Sequence, residues 1–172
     1  FISQIELINQ GYTKYKKICN LFDYDDLMDV LRESLRDNRI FRKRLNEKYR
    51  YIMVDEYQDT NVVQKEIVEY LAEGSRNIMV VGDDSQSIYS FRGADYENIL
   101  RFPQKYPDCK VIKIEENYRS NQKILDFTNE IILNSKIGYK KRLFSRISYE
   151  ALPVVRKLYD QEAEAEFIVD KI

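Results

Sequence analysis

The sequence predicts an α/β fold in which helices flank a parallel sheet. Three observations carry that prediction. Short apolar runs stand at Tyr51-Ile52-Met53-Val54, at Ile78-Met79-Val80-Val81, and at 111–114, where only Lys113 interrupts Val111, Ile112 and Ile114. Segments of helical period lie between them. The first run ends in two carboxylates and the second in a glycine, as strands do when they leave a sheet for a loop. Parallel neighbours need a crossover connection, so strand, helix, strand, helix, strand in one chain reads as a parallel sheet.

The elements follow in order. Leu27, Val30, Leu31 and Leu35 recur at helical spacing after Asp23 and Asp25, either of which can cap the helix. A second helix is predicted over 38–49, with Phe41 and Leu45 facing inward. The period then changes, and 51–54 reads as a parallel strand buried on both faces. Asn61 with Gln64 three residues on is a capping box, opening a helix with Val63, Ile67 and Leu71 on one face. A second buried strand covers 78–81 and ends at Gly82. A short helix over 95–102 is expected to close at Pro103. A third strand is predicted at 111–114, then a helix capped by Ser120 and carrying Ile124, Leu125, Thr128, Ile131 and Ile132. After a polar, basic stretch at 134–146 come a strand at 154–159 and a helix with Ala165, Ile168, Val169 and Ile172. Ligands of open parallel sheets gather at the carboxyl ends of the strands, so the residues just after each strand are the candidates for chemistry.

Composition narrows the classes. Of 172 residues, 44% are hydrophobic and 33% charged, which fits a soluble, folded protein of the cytoplasm. No apolar run approaches a membrane span, and no charged-then-apolar leader opens the chain. The first residue is Phe1 rather than Met and Ile172 ends in mid-pattern, so a fragment is expected. Cys19 and Cys109 are isolated, which argues against a disulfide framework or a zinc site. The absence of histidine excludes His-based acid–base catalysis and His-ligated metals. Net charge is −1, without the basic excess of many nucleic-acid binders. A DNA partner would need a narrow track on an otherwise neutral surface.

Three strings carry chemistry. Asp55-Glu56-Tyr57-Gln58-Asp59-Thr60-Asn61 follows the first strand and thrusts two adjacent carboxylates from its end; read alone, the pair is more simply an acidic turn. Val80-Val81-Gly82-Asp83-Asp84-Ser85-Gln86-Ser87-Ile88-Tyr89-Ser90-Phe91-Arg92-Gly93-Ala94 ends the second strand and sets an amide, two aromatics and an arginine close together. Taken separately, Tyr89 and Phe91 would be core residues in a chain with 14 Tyr and 8 Phe. Glu116-Asn117-Tyr118-Arg119-Ser120 follows the third strand, and there Arg119 has an alternative use as a surface partner of Glu115 or Glu116.

In this order and spacing the strings resemble the second, third and fourth motifs of superfamily 1 DNA helicases of the UvrD/Rep/PcrA group, strongly over 51–120, weakly before that and moderately beyond. The resemblance implies a RecA-like P-loop NTPase fold, incomplete here, with 1–115 in the first RecA-like domain and 116–172 opening the second. Within the first, 1–49 would be helical, the root of an inserted subdomain. It implies Asp55 as ligand of a Mg²⁺ bound with ATP, and Glu56 as acceptor of a proton from the attacking water. It assigns Gln86 to sensing the γ-phosphate, Arg119 to reaching that phosphate and Tyr118 to packing on adenine. Tyr89, Phe91 and Arg92 fall to single-stranded DNA, where stacking contributes about 1–3 kcal/mol per base regardless of sequence. The group often carries tryptophan at the position of Phe91, which implies weaker stacking here.

The implied partners are ATP, single-stranded DNA and its junctions with duplex, in repair or replication. A segment at 23–27 matches more weakly, and capping accounts for it. The basic run at 136–146 is suited to a DNA backbone, although such runs are usually solvated. The loop Gly-x-x-x-x-Gly-Lys-Ser/Thr is missing, since none of Gly11, Gly74, Gly82, Gly93 and Gly138 precedes a lysine. The fragment alone is therefore expected to be inactive. Two other readings stay open: the motor part of a RecB/AddA-like helicase–nuclease, and a non-catalytic DNA-binding module of helicase-like fold.

Overall fold

The computed structural model describes residues 2–95, 97–149 and 151–172, with the Arg92 side chain outside the description. The chain divides into two compact units, Phe1–Cys109 and Lys110–Ile172. The first contains α1 (Ile2–Cys19), α2 (Tyr24–Asp37), α3 (Arg39–Lys48), β1 (Ile52–Val54), α4 (Val62–Ala72), β2 (Ile78–Val80) and α5 (Glu97–Lys105), with single 3-10 turns at Tyr57–Asp59, Asp84–Gln86 and Ser90–Arg92. β1 and β2 run parallel, Ile52 opposite Ile78, Met53 opposite Met79 and Val54 opposite Val80. The predicted α/β character and parallel pairing are both present.

Local chemistry explains the boundaries. Of the two candidate caps on α2, Asp23 serves. Its Oδ1 accepts from the Asp26 backbone at 2.9 Å, and Asp26 Oδ2 accepts from the Asp23 backbone at 2.9 Å. Lys16 Nζ, 2.6 Å from both Asp23 and Asp26, ties α1 to this corner and holds the Asp23 carboxyl well below its usual range. Asn38 caps α3 through the Phe41 N–H. The Asn61–Gln64 box forms in both directions, at 2.9 and 3.0 Å, a device whose cap alone stabilises a helix by about 0.5–2 kcal/mol.

The core is small and sits between helices and one face of the sheet. Leu35 on α2 is wholly buried, with Ile67 and Ala72 on α4 and Ile99 and Phe102 on α5. α2 packs against α3 and α4, and α4 against β1. α5 packs on the turn after β1, where Phe102 meets Tyr57 edge to face at 5.8 Å between ring centres. Burial pushes the Tyr57 hydroxyl up to about 12.

Several expectations need correction. The strands are buried on one face only: Met53 is 70% and Met79 53% exposed, while Ile52, Val54, Ile78 and Val80 are half-buried. Burial thus follows the two-residue period of the pleat. Pro103 lies inside α5 rather than closing it. Proline removes one donor, and the Tyr106 N–H to Phe102 carbonyl bond of 2.9 Å carries the chain past it.

The second unit contains α6 (Gln122–Leu133) and α7 (Gln161–Val169), the latter ending before Ile172. Asn121, not Ser120, caps α6, accepting from the Ile124 N–H at 3.1 Å. The strands expected at 111–114 and 154–159 do not form. A strand exists only by pairing, and the only pairing among the described residues of this unit is a parallel bridge between Glu116 and Phe144. Side-chain amides of α6 take up the neighbouring backbone instead. Asn129 exchanges two hydrogen bonds with Leu143, at 2.8 and 2.9 Å, and Gln122 Oε1 accepts from the Ser145 N–H at 2.8 Å. Among the described residues no helix is long and apolar enough to cross a membrane.

Candidate functional site

The carboxyl ends of β1 and β2 lie side by side and are stitched beyond the ladder. Val81 N–H bonds the Val54 carbonyl at 2.8 Å, and Tyr57 N–H bonds the Val81 carbonyl at 2.9 Å. Between those bonds the chain turns sharply at Glu56, whose φ of 50° and ψ of 43° put a non-glycine residue in the left-handed region. Such a backbone costs about 1–3 kcal/mol and persists only where its surroundings hold it. They do so here. Asp55 Oδ1 accepts from the Glu56 N–H at 2.9 Å, Tyr57 is buried under α5, and Thr60 Oγ1 donates to the Tyr57 carbonyl at 2.6 Å. Asp55 and Glu56 are thus presented, both exposed, at the strand's end.

β2 leads into the second half of the site. Gln58, only 1% exposed, donates from Nε2 to Glu56 Oε2 at 2.8 Å and accepts at Oε1 from the Asp83 N–H at 3.0 Å. That approach needs Gly82, because a Cβ there would stand 2.4 Å from Gln58 Oε1. Asp83 in turn organises the next turn, its Oδ1 accepting from the Ser85 N–H and its Oδ2 from Gln86 Nε2, each at 2.9 Å. Gln86 is exposed, and its amide nitrogen carries a second N–H besides the one given to Asp83.

The loop that follows carries Tyr89 and Phe91. Their rings stand 6.0 Å apart and tilted by 49°, and Phe91 is 76% exposed, so neither belongs to the core. Gly93, at φ 82°, turns the chain back. Ala94 then bridges to Asn61, and Asp95 N–H and Asn98 Nδ2 both bond the Thr60 carbonyl, at 3.2 and 3.1 Å. The aromatic loop is therefore anchored at its start by Gln58 and at its end by Thr60 and Asn61, all from the first string. The predicted role of Arg92 rests on a side chain outside the described residues.

Residues 2–107 match the family model of the UvrD/REP helicase N-terminal domain, and residues 112–172 that of the UvrD-like helicase C-terminal domain. The chain belongs to the UvrD/REP helicase family. It is 44% identical over 161 residues to the ATP-dependent DNA helicase Rep of Escherichia coli (strain K12), covering 94% of this chain and 24% of that protein. To the DNA helicase II of Rickettsia typhi it is 42% identical over 168 residues, 97% of this chain and 25% of the relative. Rep of Buchnera aphidicola subsp. Baizongia pistaciae is 38% identical over 161 residues. The chain spans about a quarter of the length of these curated relatives.

Within the UvrD/REP strings, Asp55, Glu56 and Gln86 are brought to one edge through Gln58 and Asp83, and Tyr89 and Phe91 sit on the same anchored loop. Gln58 was the residue that sequence reasoning missed. Its type gives no signal, since a glutamine in a turn reads as solvated, and only its burial reveals it. In the second unit Asn117 Oδ1 accepts from the N–H groups of Arg119 and Ser120, at 2.9 and 2.7 Å. Arg119 is exposed, and the surface pairing with Glu115 or Glu116 does not form. Glu116 instead pairs with Arg146 at 3.1 Å, and Glu115 Oε1 accepts from the Arg142 N–H at 2.8 Å. Tyr118 is exposed, and its hydroxyl is raised by its hydrogen bond to Glu116.

Proposed function

We propose that this chain is part of an ATP-dependent DNA helicase of RecA-like fold, a motor that couples ATP hydrolysis to movement along single-stranded DNA and to unwinding at its junctions with duplex, in repair or replication in the cytoplasm. Residues 1–115 would belong to the first RecA-like domain and 116–172 to the second. The observation that supports this most is the run of contacts Glu56–Gln58–Asp83–Gln86 at the carboxyl edge of two parallel strands, with exposed aromatics on the adjoining loop. The relatives, an ATP-dependent DNA helicase Rep and a DNA helicase II by name, point the same way.

In this reading Glu56 takes a proton from water as its oxygen attacks the γ-phosphorus and the bond to the leaving β-phosphate oxygen breaks. Gln86 offers an N–H to a γ-phosphate oxygen, so its environment differs between ATP and ADP. Arg119 supplies positive charge to the same phosphate, and Tyr118 a face for adenine. Asp55 fits Mg²⁺. No group of three His, Cys, Asp or Glu that could cage a metal exists among the described residues. One carboxylate plus substrate phosphates and water is how Mg²⁺ is usually held. When bound, the ion would neutralise charge on the β- and γ-phosphates.

The test is ATP hydrolysis by the full-length protein with and without single-stranded DNA. Turnover should rise severalfold with DNA, and turnover indifferent to DNA would overturn the motor reading. The 172-residue chain by itself should show none, because it lacks the phosphate-cradling loop.

Phe91→Ala should weaken single-stranded DNA binding by the loss of one stacked base, about 1–3 kcal/mol. Fluorescence anisotropy with a labelled oligonucleotide checks the affinity, and base pairs opened per ATP checks the coupling. Unchanged values in both would remove Phe91 from the DNA track.

A further inference from the structure

We propose that Gln58 is a positioning residue that holds the Glu56 carboxylate in its working orientation and ties that orientation to the loop carrying Gln86 and the aromatics; the inference rests on the reading of Glu56 as base. The orientation of the Gln58 amide is fixed by its partners. The Asp83 N–H can only donate, so the amide oxygen must face it and the amide nitrogen must face Glu56. One carboxylate oxygen of Glu56 is thereby engaged, and a carboxylate has a second to offer a water. The amide is buried, and it spans 25 residues of sequence from one strand end to the other. Gly82 leaves room for it, and the Gln58 carbonyl accepts from Ser87 Oγ at 3.4 Å, a further tie to the loop.

Two physical consequences follow. The left-handed turn at Glu56 has its side chain and its following residues held by one buried group, so a shift of the third-motif loop must be felt at the carboxylate. Any displacement of Asp83 pulls on the amide oxygen, and with it on the nitrogen that orients Glu56. Misplacing a catalytic group by about 1 Å can cost on the order of 10²-fold in rate.

The experiment uses the full-length protein with Gln58→Leu, Gln58→Glu, Glu56→Gln and the double variant Glu56→Gln/Gln58→Leu. Gln58→Leu should lower kcat by about 10²-fold, leaving KM for ATP and single-stranded DNA affinity within about twofold. Gln58→Glu keeps the acceptor for Asp83 N–H but loses the donor to Glu56. It should lower kcat as well, and move the acidic limb of the kcat–pH profile upward because a new carboxylate then stands directly against that of Glu56, at an edge that already holds Asp55 and Asp83. In the double variant the leucine should add almost nothing to the loss from Glu56→Gln, since residues acting as a unit are not additive. A purely structural glutamine predicts the reverse: additive losses, weakened DNA binding and an unmoved pH profile, and that result overturns the inference. If Gln58→Leu fails to fold, the profile of Gln58→Glu decides alone. Glu56→Gln abolishing turnover while both Gln58 variants stay within about threefold of wild type would sink the inference and spare the base. Glu56→Gln with full turnover would sink both.

Discussion

Glu56→Gln should lower the DNA-stimulated kcat of the full-length protein by about 10²- to 10⁴-fold, the range that a positioned general base contributes. The substitution isolates basicity. A glutamine carbonyl can still accept from Gln58 Nε2, and the left-handed backbone at φ 50° treats the two side chains alike. Asp55, whose Oδ1 accepts from the Glu56 N–H, is untouched. Nucleotide and DNA binding should therefore survive, and the loss should fall on kcat with KM nearly constant, as for an interaction made only in the transition state. Steady-state hydrolysis, nucleotide binding and a thermal melt together make the check. A kcat within about tenfold of wild type would place the base elsewhere, because a group of this kind is worth at least about 10²-fold.

How far the sequence revealed this site depends on which interactions are local. The Asn61–Gln64 box and the Asp23 cap join residues three apart, and both were legible. The cap of α6 was legible in kind but misplaced by one, because Ser120 and Asn121 are both competent and only the geometry selects Asn121. The strand expected at 111–114 rested on apolar composition, which cannot supply the partner that a strand requires. Its neighbour 115–117 instead bridges to Phe144, a pairing nearly thirty residues away that no local pattern encodes. Met53 and Met79 looked buried because they sit in apolar runs, yet the pleat points them together to the more exposed face. At the candidate site, the placing of Asp55, Glu56 and Gln86 just after the strand ends was legible from the apolar runs before them. The residues that hold them were not. Gln58 and Asn98 act through bonds to backbone atoms of Asp83 and Thr60, 25 and 38 residues along the chain, and such bonds leave little mark on residue type.

Arg119→Ala should produce the largest loss, about 10³- to 10⁵-fold in kcat, if its guanidinium supplies charge to the transferring phosphate as arginine fingers do. The second unit is built so that this cation is not spent locally. Asn117 Oδ1 accepts from the Arg119 and Ser120 backbone and fixes the turn without engaging the guanidinium. Glu116, the anion three residues away, is already paired with Arg146. Glu115 is occupied by the Arg142 backbone. Removing an exposed, uncommitted arginine should leave the fold intact, so the thermal melt should hardly move while turnover collapses. Arg119→Lys should recover only part of the rate, because a point charge does not reproduce the planar fork. Arg146→Ala is the matched control. It breaks an ion pair at a mostly exposed position, an interaction worth about 0–1 kcal/mol, and should leave kcat near wild type. Equal losses from Arg119→Ala and Arg146→Ala would mean that the segment matters only as structure. A collapse confined to Arg119 would mean that the charge itself takes part in the chemistry.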